Sequence, residues 1–236
     1  MKVFLVLLLF VIINTINFTF SQTDSLLQQG HDLAKAKNYL KAIEYYERFV
    51  DKNGPNYMAY FYMGNAYMDQ NHFEEAIEAY NFAVRMDTNR LEALYNRANC
   101  LLEIDAFELS IQEFTKCIRK DSIHAQSYYN RGNAYYYLGN FLKAKFDLEK
   151  ATQLNSSFYE AYFDLGNAYF ANKEYKEAII AYDKAIAINE TKSDYFFNRA
   201  VAEYNFGFPE DACIDFKNAL DLGDIEANGY VKELCN

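Results

Sequence analysis

A period of 34 residues constrains this chain more than any other feature. Laid out at that spacing, one column reads Gly30, Gly64, Ala98, Gly132, Gly166, Ala200. Twelve residues further on stand Ala42, Ala76, Ser110, Ala144, Ala178 and Ala212. Four more give Tyr46, Tyr80, Phe114, Leu148, Tyr182 and Phe216. A fourth column is Leu26, Tyr60, Leu94, Tyr128, Tyr162, Phe196. Six repeats thus run without insertion from Thr23 to Glu226: 23–56, 57–90, 91–124, 125–158, 159–192 and 193–226. Small residues kept in phase with aromatic ones mark a repeat array, in which a repeat buries its apolar face only by stacking on its neighbours.

Inside a repeat the pattern is helical. In 159–192, Tyr162, Leu165, Gly166 and Tyr169 recur at steps of three and four, as on one face of a helix. Ala178, Ile179, Tyr182 and Ala185 do the same in a second helix, after the polar turn Asn172-Lys173-Glu174. Gly or Ala at the crossing predicts close approach of the two helices, with aromatic rings filling the wider gaps beside it. Only two prolines occur in 236 residues, which suits helices better than a turn-rich β fold. The predicted class is an all-α solenoid of helix pairs. At 227–236, Tyr230, Val231 and Leu234 have the spacing of a short capping helix.

These columns resemble the tetratricopeptide repeat (TPR). The run Tyr128-Tyr129-Asn130-Arg131-Gly132-Asn133-Ala134-Tyr135 is similar to the first helix, helix A, of the idealised repeat. The family's usual proline near the end of the second helix, helix B, is missing, and Gly54, Thr88, Ser122, Ser156, Glu190 and Asp224 stand there. Phe208-Pro209 is expected to disturb the turn of the last repeat.

The resemblance implies a concave surface lined by A helices and a role in binding proteins without catalysis. By position, Phe61, Tyr95, Tyr129, Phe163 and Phe197 would face inward, with Asn65, Asn99, Asn133 and Asn167 four residues on and Asn96, Asn130 and Asn198 alongside. An amide carries both a donor and an acceptor, so such a ladder suits the backbone of a peptide or protein partner. The same asparagines also serve packing and capping in idealised repeats. Some TPR domains clamp a C-terminal carboxylate with basic residues beside two asparagines. Asn65 and Asn96 match those asparagines, but Phe61, Gln126 and Asn130 stand at the basic positions, which disfavours that clamp. Arg97, Arg131 and Arg199 fall one position later and read as ion-pairing residues between repeats. The alternative function is glycan binding in a cell envelope, on adjacent rings such as Tyr129, Tyr136 and Tyr137.

Composition narrows the partners. Lys and Arg number 23 against 33 Asp and Glu, a net charge of −10. That field repels a polyphosphate backbone, so nucleic acid is excluded as a partner. His31, His72 and His124 are scattered over three repeats. With no metal-ligand spacing and no glycine-rich phosphate loop, neither a catalytic residue nor a metal or cofactor site is expected.

The N-terminus reads as an address. Lys2 precedes an apolar run from Val3 to Ile13, which is too short to span a bilayer and suits a signal peptide over 1–21. The expected chain is exported to a periplasm, envelope or extracellular space, with no membrane insertion after cleavage. Two cysteine pairs fit such a compartment. Cys213 in the last repeat and Cys235 in the cap would staple the cap down. Cys100 and Cys117, both at positions that hold Ala in other repeats, would clamp the two helices of the third repeat.

Overall fold

The fold is that of a computed structural model describing residues 25–235. The predicted signal peptide lies outside the described residues. Thirteen helices and no strand occur among those described. Helix α1 occupies residues 25–35. It is followed by α2 (Tyr39–Asn53), α3 (Tyr57–Met68), α4 (Phe73–Met86) and α5 (Leu91–Glu103). Then come α6 (Phe107–Lys120), α7 (Ala125–Tyr137), α8 (Phe141–Leu154), α9 (Tyr159–Ala171) and α10 (Tyr175–Ile188). The chain closes with α11 (Ser193–Phe206), α12 (Pro209–Asp221) and α13 (Ala227–Leu234). Odd-numbered helices up to α11 are A helices and even-numbered ones are B helices. The helices form two compact units, one ending at Ala106 and the other beginning at Phe107.

In the N-terminal unit, α3 packs on α2 and α4, and α4 on α5. Within the C-terminal unit, consecutive helices from α6 to α13 pack on one another. The A helices also touch their next-but-one neighbours, α3 with α5, α7 with α9 and α9 with α11. They therefore make a continuous layer within each unit, backed by B helices.

The glycine column explains how closely a pair packs, and corrects the expectation that rings lie beside the crossing. A Cβ placed on Gly64 or Gly166 would sit 2.5 or 2.4 Å from Cε1 of Tyr80 or Tyr182. The ring lies directly on the A-helix backbone. Both tyrosines are almost fully buried, and burying a ring of this size contributes roughly 1.5–3 kcal/mol. Where the column holds Ala200, the ring opposite is Phe216, in the same apolar cluster.

Turns repeat as strictly as helices. Lys37, Asn71, Asp105, Gly139, Lys173 and Gly207, spaced by 34, all have positive φ, from 59° to 103°. This left-handed residue reverses the chain between an A helix and its B helix. Between repeats, Asp87, Asp121, Asn155 and Asn189 each accept the backbone N–H two residues on, at 3.0–3.1 Å. These side-chain turns do the work of the missing proline. Pro209 does not disturb the last turn. It is the first residue of α12, where its missing N–H costs nothing and its fixed φ suits a helix start.

The cap is held by rings and by sulfur. Tyr230 of α13 stacks on Phe216 at 4.7 Å. Cys213 and Cys235 are bonded, with Cα atoms 5.4 Å apart. The expectation for Cys100 and Cys117 is corrected: both are buried thiols. Each fills a place that suits alanine, as a small apolar side chain. Burial pushes the Cys100 thiol up to about 12.

Candidate functional site

The twelve ladder residues of the A helices are all half-buried, and at least nine of them make bonds or ring contacts to other parts of the fold. In the N-terminal unit the Tyr80 hydroxyl donates to Asn65 Oδ1 at 2.6 Å, and Asn96 Nδ2 donates to the same oxygen at 2.9 Å. The ring beneath the glycine is thus tied to an amide on its own A helix, and that amide to the next A helix. Phe61 stacks on Tyr57 at 5.8 Å. Tyr95 and Asn99 sit on α5, in the same unit.

The same lock recurs in the C-terminal unit. Tyr182 donates to Asn167 Oδ1 at 2.8 Å, and Asn198 Nδ2 to the same atom at 3.2 Å. Phe163 stacks on Tyr195 at 4.5 Å, Phe197 meets Tyr230 edge-on at 5.4 Å, and Tyr129 packs on Phe158 at 4.6 Å. Asn130 lies on α7, next to Arg131.

One position breaks the pattern. The column of Asn96, Asn130 and Asn198 holds Asp164 in α9. Its carboxylate accepts from Asn133 Nδ2 at 3.2 Å and from Asn167 Nδ2 at 3.4 Å. The Tyr129 hydroxyl lies nearby as a further donor. Burial raises its pKa, those donors pull it back, and nearby Glu160 adds to the rise. Two cavities open here. One, of about 100 Å³, is lined by Asn133, Tyr136, Tyr137, Asp164 and Asn167. The other, of about 200 Å³, shares Tyr136 and Asn167 and adds Phe170 and Val201. Sequence reasoning passed over Asp164, although a lone acid in an amide column was visible at the 34-residue spacing.

A second set of polar locks ties B helices to A helices. Arg131 grips Asp147 with two bonds of 2.7 and 2.8 Å and donates to Thr115 at 3.0 Å. Arg199, 68 residues on in sequence, grips Asp215 at 2.5 and 2.8 Å and reaches Asp183 at 2.5 Å. Arg97 donates to Asn81 at 2.6 Å. Of the three, it is Arg199 that forms an ion pair to the preceding repeat, with Asp183; the acid gripped by Arg131, and the second one gripped by Arg199, stand in the B helix of the same repeat, and Arg97 bonds an amide. Near Arg199, Glu203 is buried and one of its oxygens has no partner among the described residues. Burial, with Asp215 adjacent, pushes its carboxyl up to about 7. No group of three or more His, Cys, Asp and Glu side chains placed to hold a metal occurs among the described residues. No described helix is long and apolar enough to cross a membrane.

A layer of A helices backed by B helices, repeating every 34 residues, defines a helix-pair solenoid. The chain belongs to the tetratricopeptide repeat family, whose model matches residues 27–69, 63–122 and 129–195. Among solved structures it is similar to MamA, with 27% identity and a TM-score of 0.67 over 73% of this chain and 94% of that one. It is also similar to YrrB, a TPR protein described as having an unusual peptide-binding site (21% identity, TM-score 0.68, 80% of this chain and 98% of that one). PilF of Pseudomonas aeruginosa matches at 17% identity and a TM-score of 0.74 over 91% of this chain and 99% of that one. No curated protein matches the sequence. Membership of the family supports a protein-interaction scaffold.

Proposed function

We propose that this protein is a non-catalytic scaffold that binds an extended segment of a partner protein on the A-helix layer of its C-terminal unit, around Asp164. The observation that carries this reading is Asp164 itself, a carboxylate in an amide column, at the wall of an open cavity. A carboxylate has about four lone-pair sites. Asn133 and Asn167 take two, which leaves acceptor capacity for a donor from the segment even with the Tyr129 hydroxyl nearby. Tyr136 and Phe170 line the adjoining cavity and suit an apolar side chain of the same segment. On this reading Asn133 and Asn167 orient the acid, and the remaining ladder residues keep the layer rigid. A preformed surface loses little entropy on binding. The similar fold of YrrB, described as having a peptide-binding site, supports this reading.

Export completes the proposal. It is supported by the apolar run after Lys2 and by the Cys213–Cys235 bond, which suits an oxidising compartment.

The test is to pan a displayed peptide library against the full chain and titrate the selected peptides. Tyr136→Ala and Tyr137→Ala should each weaken binding severalfold while helicity stays the same. Unchanged affinity in both variants would remove the site from this face. Competition by soluble oligosaccharides instead would favour the glycan reading.

A further inference from the structure

The arginine lock is absent from one repeat of the C-terminal unit, and a cavity stands in its place. At the position of Arg131 and Arg199 the fifth repeat has Leu165. At the position of Asp147 and Asp215 it has Ala181, and at that of Thr115 and Asp183 it has Glu149. All three of these residues line a cavity of about 290 Å³ between α8, α9 and α10. Tyr169, Ile180 and Glu177 also line it. Glu149 Oε1 accepts the Tyr169 hydroxyl at 2.5 Å. Lys184, at the rim, lies over the Tyr162 ring at 5.4 Å.

The surface beside the cavity is apolar. Phe146, Ile180 and Ile214 stand 34 residues apart on α8, α10 and α12, exposed by 67, 48 and 58%. The same column is Glu44, Glu78 and Gln112 in earlier repeats, so an apolar stripe is confined to these B helices. Exposed apolar side chains in a row mark an interaction surface.

We infer that this cavity takes an arginine side chain from a partner segment lying along the Phe146–Ile180–Ile214 stripe. The guanidinium would occupy the place that Arg131 and Arg199 fill in the flanking locks, facing Glu149 and Glu177. Its alkyl stem would lie on Leu165, Ala181 and Ile180, as long basic side chains do on apolar surface. The fold already shows twice that a guanidinium is held in this position. The acidic balance of the chain favours a basic partner. This surface is separate from Asp164 and stands whether or not the A-helix site binds a segment.

The experiment uses the full chain with labelled methyl groups, titrated with the blocked tripeptide acetyl-Ile-Arg-Ile-amide. The control is the same peptide with citrulline, which keeps the shape and removes the charge. Saturable shifts are expected at Leu165, Ile180 and Ala181, with citrulline at least tenfold weaker. The double variant Leu165→Arg/Ala181→Asp rebuilds the flanking lock inside the cavity, so it keeps the fold and should abolish binding. Asp164→Asn should leave binding intact. Equal affinity for the citrulline peptide, survival of binding in the double variant, loss of binding in Asp164→Asn, or no saturable shift would each overturn the inference.

Discussion

Gly166→Ala is a demanding test of how the repeats pack. On propensity alone the change should help, because glycine costs about 1 kcal/mol relative to alanine inside a helix. The structure predicts the opposite. The new Cβ would stand 2.4, 2.5 and 2.8 Å from Cε1, Cδ1 and Cζ of Tyr182. Ordinary contact begins near 3.4 Å, so the ring must retreat by about 1 Å. It has little freedom to do so. The side chain is 1% exposed, and its hydroxyl is tied to Asn167 at 2.8 Å. Overpacking of this kind costs about 1–3 kcal/mol, and a strained hydrogen bond adds about 1 kcal/mol. The net expectation is a loss of about 2 kcal/mol. Urea unfolding followed by far-UV circular dichroism should show a lower midpoint at an unchanged slope. Tyr182→Phe alone should cost about 1 kcal/mol. The double variant should lose less than the sum, because a ring without its tether can shift, as the Ala200 and Phe216 pairing indicates. If Gly166→Ala is as stable as the parent or more so, the ring does not rest on the helix backbone.

Other perturbations probe the polar locks. Arg131→Leu leaves Asp147, only 2% exposed, without its guanidinium, and should cost about 3–5 kcal/mol in the same urea assay. Arg131→Leu/Asp147→Ala installs the Leu165 and Ala181 pair of the fifth repeat and should recover most of that loss. Glu203, whose pKa is raised to about 7 in the folded chain, binds its proton more tightly folded than unfolded. Its contribution to stability is therefore full below the usual carboxylate range and lost as pH rises through about 7. Glu203→Gln should remove that decline in thermal melts between pH 5 and 8.

The architecture was legible because each structural need recurs every 34 residues, so a single column states it six times. Gly166 and Tyr182 announce a close crossing, although only the coordinates show that the ring sits on the glycine. Turns were less legible. Lys37 and Lys173 adopt left-handed backbone although lysine does not favour it, so their side chains carry no signal of the turn. The asparagine ladder could be placed on A helices, but not assigned a use. An amide can pair with a ligand or with a neighbour, and Asn65 and Asn167 bind a tyrosine hydroxyl and the next amide first. That choice depends on distances between residues 15 and 31 apart in sequence. Cys100 and Cys117 illustrate the same ambiguity, since an alanine-sized site accepts a thiol whether or not it is bridged. Asp164 is legible as the exception in the column of Asn96, Asn130 and Asn198, but its bonds to Asn133 and Asn167 show only in the structure.

The account rests most heavily on Asp164, and the column supplies its own control. Asp164→Asn installs the residue found at Asn96, Asn130 and Asn198, so it removes a charge without a change of shape. Isothermal titration of a library-selected peptide against the full chain and this variant is the direct measurement. The account predicts at least a tenfold loss of affinity with helicity and unfolding midpoint preserved. Equal affinity for both proteins would contradict it and move the binding site away from Asp164.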